Sequence, residues 1–294
     1  MLSCLALHHL RLGYGEFSRL RYGDEEEFYA RFPGAVLLQT GTRVEVYTLR
    51  EPEEVLAELS RRSGVEQGRL EERFRRFSGG EAAEHLLRMA CMLESKVMGE
   101  SYILWQVEAA AEHATGLLGE LFTRAVSAGR EAEALLATRL HLEVHGRLRG
   151  EGEWRRVTLY GAGRTGRELA RILASEGAEV TVAHRCRDIA ERCATEVGGS
   201  STTRVAEACR QAELLICATL ASHVRLKPEM VGEGSTVVDL SPFANVSPEV
   251  GKVARVLDFR AEMERRMQEM RALRGRLEEL VRRELEALPP ELRE

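Results

Sequence analysis

Apolar positions along this chain fall into two alternating spacings. The runs "LSCLALHH" (2–9) and "GAVLLQT" (34–40) are compact and of strand length, and "VEVYTL" (44–49) alternates with period two, the pattern of a half-buried strand. "EPEEVLAELSRRSG" (51–64) repeats at helical spacing, with Pro52 inside its start and Gly64 past its end. From Gly79 to about Leu142 the pattern is helical again and predicts one long helix, with a break at Met98–Gly99. "WRRVTLYGAGRTGRELARILASEGAEVTVAHR" (154–185) then reads strand, glycine turn, helix, turn, strand, a βαβ unit. "AELLICATL" and "STVVDLS" supply further buried strands. The tail is helical, with Met263, Met267, Met270, Leu273, Leu277 and Leu280 on one stripe and Gly275 interrupting it. That stripe either packs on its own domain or pairs two copies in a homodimer.

The predicted fold is α/β. It has an N-terminal α+β domain (1–76), a helical segment (77–150), a Rossmann-type doubly wound parallel sheet (151–258) and a short helical tail (259–294). The boundary before the sheet is placed in the Gly-, Arg- and Glu-rich stretch Gly146–Gly152. The 294 residues suffice for two cores, and 44% hydrophobic with 30% charged residues excludes a disordered chain. A net charge of −5 gives no global attraction to nucleic acid or anionic lipid. No apolar run spans a bilayer, and the apolar start lacks a basic leader, so a cytoplasmic protein with no membrane contact is expected. The six cysteines, Cys4, Cys91, Cys186, Cys193, Cys209 and Cys217, show no metal spacing and are expected to be free thiols, with no metal bound.

The turn "GAGRTG" (Gly161, Ala162, Gly163, Arg164, Thr165, Gly166) follows an apolar strand and opens a helix, the context in which GxGxxG binds a dinucleotide. Gly161 permits the tight turn, Gly163 the approach of a pyrophosphate, and Gly166 close packing of helix on strand. The helix start offers free N–H groups to phosphate. The next strand ends in "VTVAHRCR", without the acid that would accept from a ribose hydroxyl. His184, Arg185 and Arg187 stand there instead and suit a 2′-phosphate, so NADP(H) is the expected cofactor.

The middle of the chain, "HLLRMACMLESKVMGESYILWQVEAA", resembles the signature of glutamyl-tRNA reductases, roughly HLFRVAxGLDSMVLGExQILGQV. His85, Arg88, Ala90, Leu93, Ser95, Val97, Gly99, Glu100, Ile103, Leu104, Gln106 and Val107 match it. "LALHH", "ELFTRAVSAGREAEALL", "GAGRTG", "ICAT" and "VVDLSPFANVSPEV" resemble further family segments in order, so the likeness covers almost the whole chain. It implies an NADPH-dependent oxidoreductase of tetrapyrrole (porphyrin and heme) biosynthesis. It implies His85 and Arg43 as catalytic residues, Arg43 pairing with a substrate carboxylate. Thr40, Gly41, Thr42, Ser95, Glu100, Ser101, Tyr102 and Gln106 would contact the substrate, either glutamyl-tRNA or a small carboxylate-bearing compound.

The departures bear on the chemistry. The family's STCNRTEVY falls on "QTGTRVEVY", which keeps Thr40, Arg43, Glu45, Val46 and Tyr47 but puts Gly41 where the family has its nucleophilic Cys. In the family that thiolate displaces tRNA from the glutamyl ester, and hydride from NADPH reduces the thioester. Glycine cannot form that bond. Trp105 replaces a motif Gly, which brings a bulky ring to the pocket or its wall, and the C-terminal helical part is shorter than the family's dimerisation domain. Cys91 is expected to be a buried packing residue; the competing reading makes it a relocated nucleophile. Two further functional readings stand open: an NADP-dependent oxidoreductase repurposed for a tetrapyrrole precursor, and a non-catalytic regulatory paralogue.

Overall fold

The computed structural model describes residues 1–40, 42–94, 102–137, 140–219, 221, 223–241, 243 and 245–294. The chain forms two compact units, one of residues 1–136 with 273–294 and one of residues 137–272.

The first unit is built on a four-stranded antiparallel sheet in the order β2-β3-β1-β4. Its strands are β1 (Ser3–His8), β2 (Val36–Gln39), β3 (Arg43–Thr48) and β4 (Arg75–Ser78). α1 (Tyr14–Leu20) and α2 (Glu26–Arg31) lie between β1 and β2, and α3 (Pro52–Ser63) and α4 (Gln67–Arg73) between β3 and β4. α3 closes at Gly64, which takes the left-handed conformation (φ 68°) read from the sequence. Period two sorts the strands: Leu5, Leu7, Val44 and Val46 enter one core with Phe17, Phe28, Leu56 and Leu59. Cys4, Glu45 and Tyr47 take the opposite face. That face is covered too, since α5 (Gly80–Ala90), α6 (Tyr102–Ala111) and α7 (Gly116–Leu135) belong to the same unit and Phe122 of α7 meets Tyr47 edge-on at 5.4 Å. β3 is therefore buried from Val44 to Thr48 and not half-buried as its alternation predicts.

The expected long helix is instead α5, α6 and α7. α5 ends at Ala90 because Met92 turns left-handed (φ 62°), and Gly116 does the same (φ 56°) at the start of α7. The predicted break at Met98–Gly99 lies outside the described residues. Gly129 lets α7 approach its neighbours: a Cβ there would stand 2.3 Å from Leu104 Cδ1 and 2.9 Å from the Ala90 carbonyl oxygen.

The second unit starts with α8 (Leu140–Arg149) and carries a six-stranded parallel sheet. Its elements are β5 (Arg156–Gly161), α9 (Arg164–Ser175), β6 (Glu179–Ala183), α10 (Arg187–Val197), β7 (Ser200–Thr202), α11 (Val205–Gln211), β8 (Leu214–Ala218), β9 (Thr236–Asp239), β10 (Arg255–Asp258) and α12 (Arg260–Ala272). The order β10-β9-β8-β5-β6-β7 reverses direction between β5 and β8. That is the doubly wound arrangement, and the reversal is where such sheets open a ligand crevice.

The last segment returns to the first unit as α13 (Arg274–Glu286) and α14 (Pro290–Arg293). The four segments read from the sequence are thus grouped differently. The helical stretch divides after Leu136, ahead of the Gly-rich stretch, and the tail divides at Leu273. Leu277, Leu280 and Val281 of α13 are buried, and Arg283 pairs with Glu131 of α7 at 2.7 Å. Of the stripe offered for a homodimer, Met270, Leu277 and Leu280 are buried within the chain, while Met263, Met267 and Leu273 are half-buried. Among the described residues no helix is long and apolar enough to cross a membrane.

Candidate functional site

In the first unit the candidate residues meet where β2 turns into β3. Thr40 is buried, and its Oγ1 accepts from the backbone N–H of Thr42 (3.0 Å) and of Arg43 (2.9 Å). This hydroxyl closes the turn locally. Gly41 lies outside the described residues, as do Ser95, Glu100 and Ser101. Tyr102 begins α6, and Trp105 and Gln106 follow on that helix, both half-buried.

Arg43 is the first residue of β3. Its Nη2 donates to the Glu94 carbonyl oxygen (2.8 Å), and its Nη1 faces Met89 Sδ (3.3 Å) and Glu45 Oε1 (3.5 Å). The guanidinium thus braces the segment after α5 against β3. A two-point grip on a substrate carboxylate would have to use Nε or displace the Glu94 carbonyl. Glu94 is itself held by Arg88 of α5 at 2.9 Å.

Behind Arg43 lies a buried polar cluster that the sequence reading did not assemble. Glu45 Oε2 accepts from Tyr47 Oη (2.9 Å) and lies 3.1 Å from His85 Nε2. The side chains of Glu45 and His85 are 1% and 8% exposed. The His85 ring stacks on Phe77 of β4 at 4.3 Å, which fixes its plane. Burial on its own would raise the Glu45 carboxyl, but the hydrogen bond and charge of His85 and the Arg43 guanidinium hold it below its ordinary value. An ionised Glu45 can only accept, so the 3.1 Å contact has His85 Nε2–H as the donor. Cys4 is fully buried in the same cluster, and the donor atoms of Cys4, Glu45 and His85 lie within 4.8 Å of one another. Burial and the adjacent Glu45 push the Cys4 thiol well up, so it is not a nucleophile. The signal that could have exposed this cluster was the pairing register: β1 and β3 set Cys4 opposite Tyr47 and Ala6 opposite Glu45, all on one face.

Cys91 caps the C-terminal end of α5 and is fully buried. Burial, with Glu131 of α7 and Glu284 of α13 nearby, pushes its thiol up to about 12. The charges that act on it lie on α7 and α13, not around His85, so the relocated-nucleophile reading has no geometric support.

In the second unit the glycine turn joins β5 to α9 at the reversal of strand order. Gly161 has φ +93°, and a Cβ there would stand 2.5 Å from the Ala218 carbonyl oxygen. A Cβ on Gly166 would stand 2.5 Å from Ala218 Cβ and 2.8 Å from Leu159 Cδ1, the close helix–strand packing expected of it. Gly163 is constrained differently from expectation. Its N–H donates to the Ala218 carbonyl (3.1 Å) and a Cβ would stand 2.9 Å from that oxygen, so strand β8 sets its need for glycine. Arg164 is held by Glu168 at 2.9 Å, and Thr165 is buried. Arg185 and Arg187 are exposed beyond β6. His184 differs from them: burial, with Arg185 beside it, lowers its ring, and its Nδ1 accepts from the Cys186 N–H at 3.1 Å. It serves that turn as a neutral acceptor and adds no charge to the arginine pair.

These two arrangements match known proteins in the same order along the chain. Residues 20–134 match the family profile "Glutamyl-tRNAGlu reductase, N-terminal domain". Residues 146–261 match "Shikimate / quinate 5-dehydrogenase". The glutamyl-tRNA reductase of Methanocella arvoryzae is 28% identical over 98% of this chain and 74% of its own length. That of Methanocaldococcus jannaschii is 31% identical over 80% of this chain and 62% of its own. Along nearly its whole length the chain is similar to glutamyl-tRNA reductases. The solved glutamyl-tRNA reductase of Methanopyrus kandleri has the same fold, with a TM-score of 0.56 at 24% identity, covering 98% of this chain and 79% of that one. Arg43 and His85 lie within the first matched segment, and the turn from Gly161 to Gly166 lies within the second. Position 41 is glycine.

Proposed function

We propose that this chain is a glutamyl-tRNA-reductase-like, NADPH-dependent oxidoreductase of tetrapyrrole biosynthesis that works in the cytoplasm without a cysteinyl thioester. The observation that carries this reading is the Arg43–Glu45–His85 constellation, kept while no thiol near it is reactive. A buried, oriented, hydrogen-bonded histidine beside an arginine is machinery for a carbonyl substrate. The absence of a side chain at position 41 removes only the covalent step.

The residues suited to the cofactor are the turn from Gly161 to Gly166 for the pyrophosphate and Arg185 with Arg187 for a 2′-phosphate. The cofactor when bound supplies a hydride. His85 would exchange the accompanying proton at Nδ1 while Glu45 holds Nε2. Arg43 and the hydroxyls of Thr40 and Thr42 favour a substrate that carries a carboxylate. A small carboxylate-bearing aldehyde or ketone fits this better than glutamyl-tRNA, whose ester needs the missing nucleophile.

NADPH oxidation at 340 nm, with the purified full chain and each substrate class in turn, tests this. Turnover of a small carboxylate-bearing carbonyl compound, lost in His85→Asn, is the expected result. A covalent glutamyl adduct on the unmodified chain would overturn the thioester-free chemistry. NADPH binding without consumption on any substrate would favour the regulatory reading.

A further inference from the structure

Cys4, Glu45 and His85 bring a sulfur, a carboxylate and an imidazole together inside the first unit. Their donor atoms all lie within 4.8 Å of one another, and all three residues are buried. They come from three different elements, β1, β3 and α5. β1 lies between β3 and β4 in the sheet, and Cys4 stands opposite Tyr47 on one side and Phe77 on the other. Tyr47 Oη donates to Glu45 Oε2 (2.9 Å), and Phe77 stacks on the His85 ring (4.3 Å). The two sheet neighbours of Cys4 therefore hold the other two members of the cluster in place. Cysteine spacing along the chain gives no sign of this set, because its members meet only through strand pairing and the packing of α5.

Thiolate, imidazole and carboxylate are the protein donors that bind Zn²⁺, and three of them with a fourth position left over is the arrangement of an open zinc site. At zinc–ligand lengths of about 2.0–2.3 Å, two donors on one tetrahedral ion stand about 3.3–3.7 Å apart. Glu45 Oε2 and His85 Nε2 are 3.1 Å apart, so a slight spreading admits an ion between them. The charges fit as well. A thiolate and a carboxylate neutralise a divalent ion, which matters where water is excluded. The Arg43 guanidinium, 3.5 Å from Glu45 Oε1, then leaves the loaded site with a positive charge, which suits an anionic group at the fourth position. Metal ligands are commonly oriented by groups outside the coordination sphere, and Tyr47 and Phe77 do this for Glu45 and His85.

We propose that Cys4 Sγ, a carboxylate oxygen of Glu45 and His85 Nε2 bind a single Zn²⁺ ion. On binding, the Cys4 S–H bond breaks and its proton leaves to solvent. The neutral imidazole carries its proton on Nδ1 in place of Nε2, and the Glu45 carboxylate enters as it is. No electrons move. The ion ties β1, β3 and α5 together from inside. The proposal is independent of the reductase reading, because metal content is measured with neither cofactor nor substrate present.

The full chain, expressed with added zinc and separately refolded with Zn²⁺ or Co²⁺, is tested by elemental analysis and absorption spectroscopy. Refolding is included because the buried donors load slowly in the folded chain. The unmodified chain should hold one zinc through gel filtration. Its Co²⁺ form should show the ligand-field bands of a tetrahedral ion and a thiolate-to-metal charge-transfer band. Cys4→Ser should abolish the charge-transfer band, and Glu45→Gln and His85→Gln should lose the metal. Cys186→Ser, which removes the thiol that is not buried, should leave content and spectrum unchanged. Tyr47→Phe keeps all three ligands but removes a hydrogen bond to one of them, so zinc affinity should fall by about 10- to 100-fold. Zinc should raise the melting temperature of the unmodified chain and not that of Cys4→Ser. If Cys4→Ser does not fold, X-ray absorption at the zinc edge of the unmodified chain replaces it, with one sulfur among the ligands expected. A chain free of metal after both routes overturns the proposal. So does a zinc without sulfur ligation, or a metal content and Co²⁺ spectrum that Cys4→Ser leaves unchanged, which would mean an adventitious ion only. NADPH oxidation on the same samples separates the two readings: zinc held without turnover counts against the reductase reading alone, and turnover by a metal-free chain against the zinc site alone.

Discussion

Glu45 Oε2 lies 3.1 Å from His85 Nε2 inside the first unit, between a β-sheet and the helices that cover it. An acid and an imidazole held this close, out of water, act as one group: the carboxylate sets which ring nitrogen carries the proton, and the ring keeps the carboxylate ionised. Tyr47 Oη donates to the same carboxylate oxygen, and the Arg43 guanidinium pairs with Glu45 Oε1 at 3.5 Å.

Removing one member of such a pair leaves the other buried and unsatisfied. Glu45→Ala should therefore destabilise the protein by about 3–5 kcal/mol, measured by urea unfolding at pH 7. The pH dependence has a definite sign. Glu45 has a depressed carboxyl in the folded state, so its contribution is complete above the ordinary carboxylate value near ~4.3 and falls away as the pH drops through the folded value. Glu45→Gln should lose that acid-side slope, and an unchanged slope would show that the acid transition arises elsewhere.

Cys91 should be inert. A thiol at about 12 has a thiolate fraction on the order of 10⁻⁵ at pH 7, and the residue has no exposed surface. Cys186 is the free cysteine that is not buried, so iodoacetamide followed by peptide mapping should label Cys186 first. Labelling of Cys91 in the folded protein ahead of Cys186 would restore the relocated nucleophile.

Gly41→Cys should restore a thiol next in sequence to Thr40 and Thr42. Mixed with glutamyl-tRNA in the absence of NADPH, the variant should accumulate a glutamyl thioester visible by intact mass, while the unmodified chain should show none. A folded variant that forms no adduct would mean that the surrounding groups no longer serve that chemistry.

Arg185 and Arg187 stand exposed beyond β6, with no acid at the strand end to receive ribose hydroxyls. The unmodified chain should bind NADPH more tightly than NADH. The double variant Arg185→Ala, Arg187→Ala should lose about tenfold in NADPH affinity and change little for NADH. Equal binding of the two cofactors by the unmodified chain would remove the 2′-phosphate assignment.

Much of the fold was legible in the residue order because local rules govern it. Period-two and helical spacings marked β1, β2, β3 and α3, and Gly64 marked a helix end. A glycine turn between an apolar strand and a helix marked β5 and α9. The family resemblance singled out Thr40, Arg43 and His85, and the glycine at position 41 is plain in the residue order.

What the sequence could not decide was which side of each element faces what. The alternation in β3 is the same whether one face of the sheet meets water or helices, so the residue order does not tell that Glu45 is buried. Cys91 and a relocated nucleophile share one sequence, and only burial against α7 and α13 separates them. The helical tail carries one apolar stripe, yet its last turns serve the first unit and its first turns the second. Arg266 and Thr165 stand far apart in the chain, and nothing local to either predicts their contact. Covalent order determines propensity and motif; burial, charge pairing and long-range contact arise only when the chain has closed on itself, because each depends on what occupies the other side.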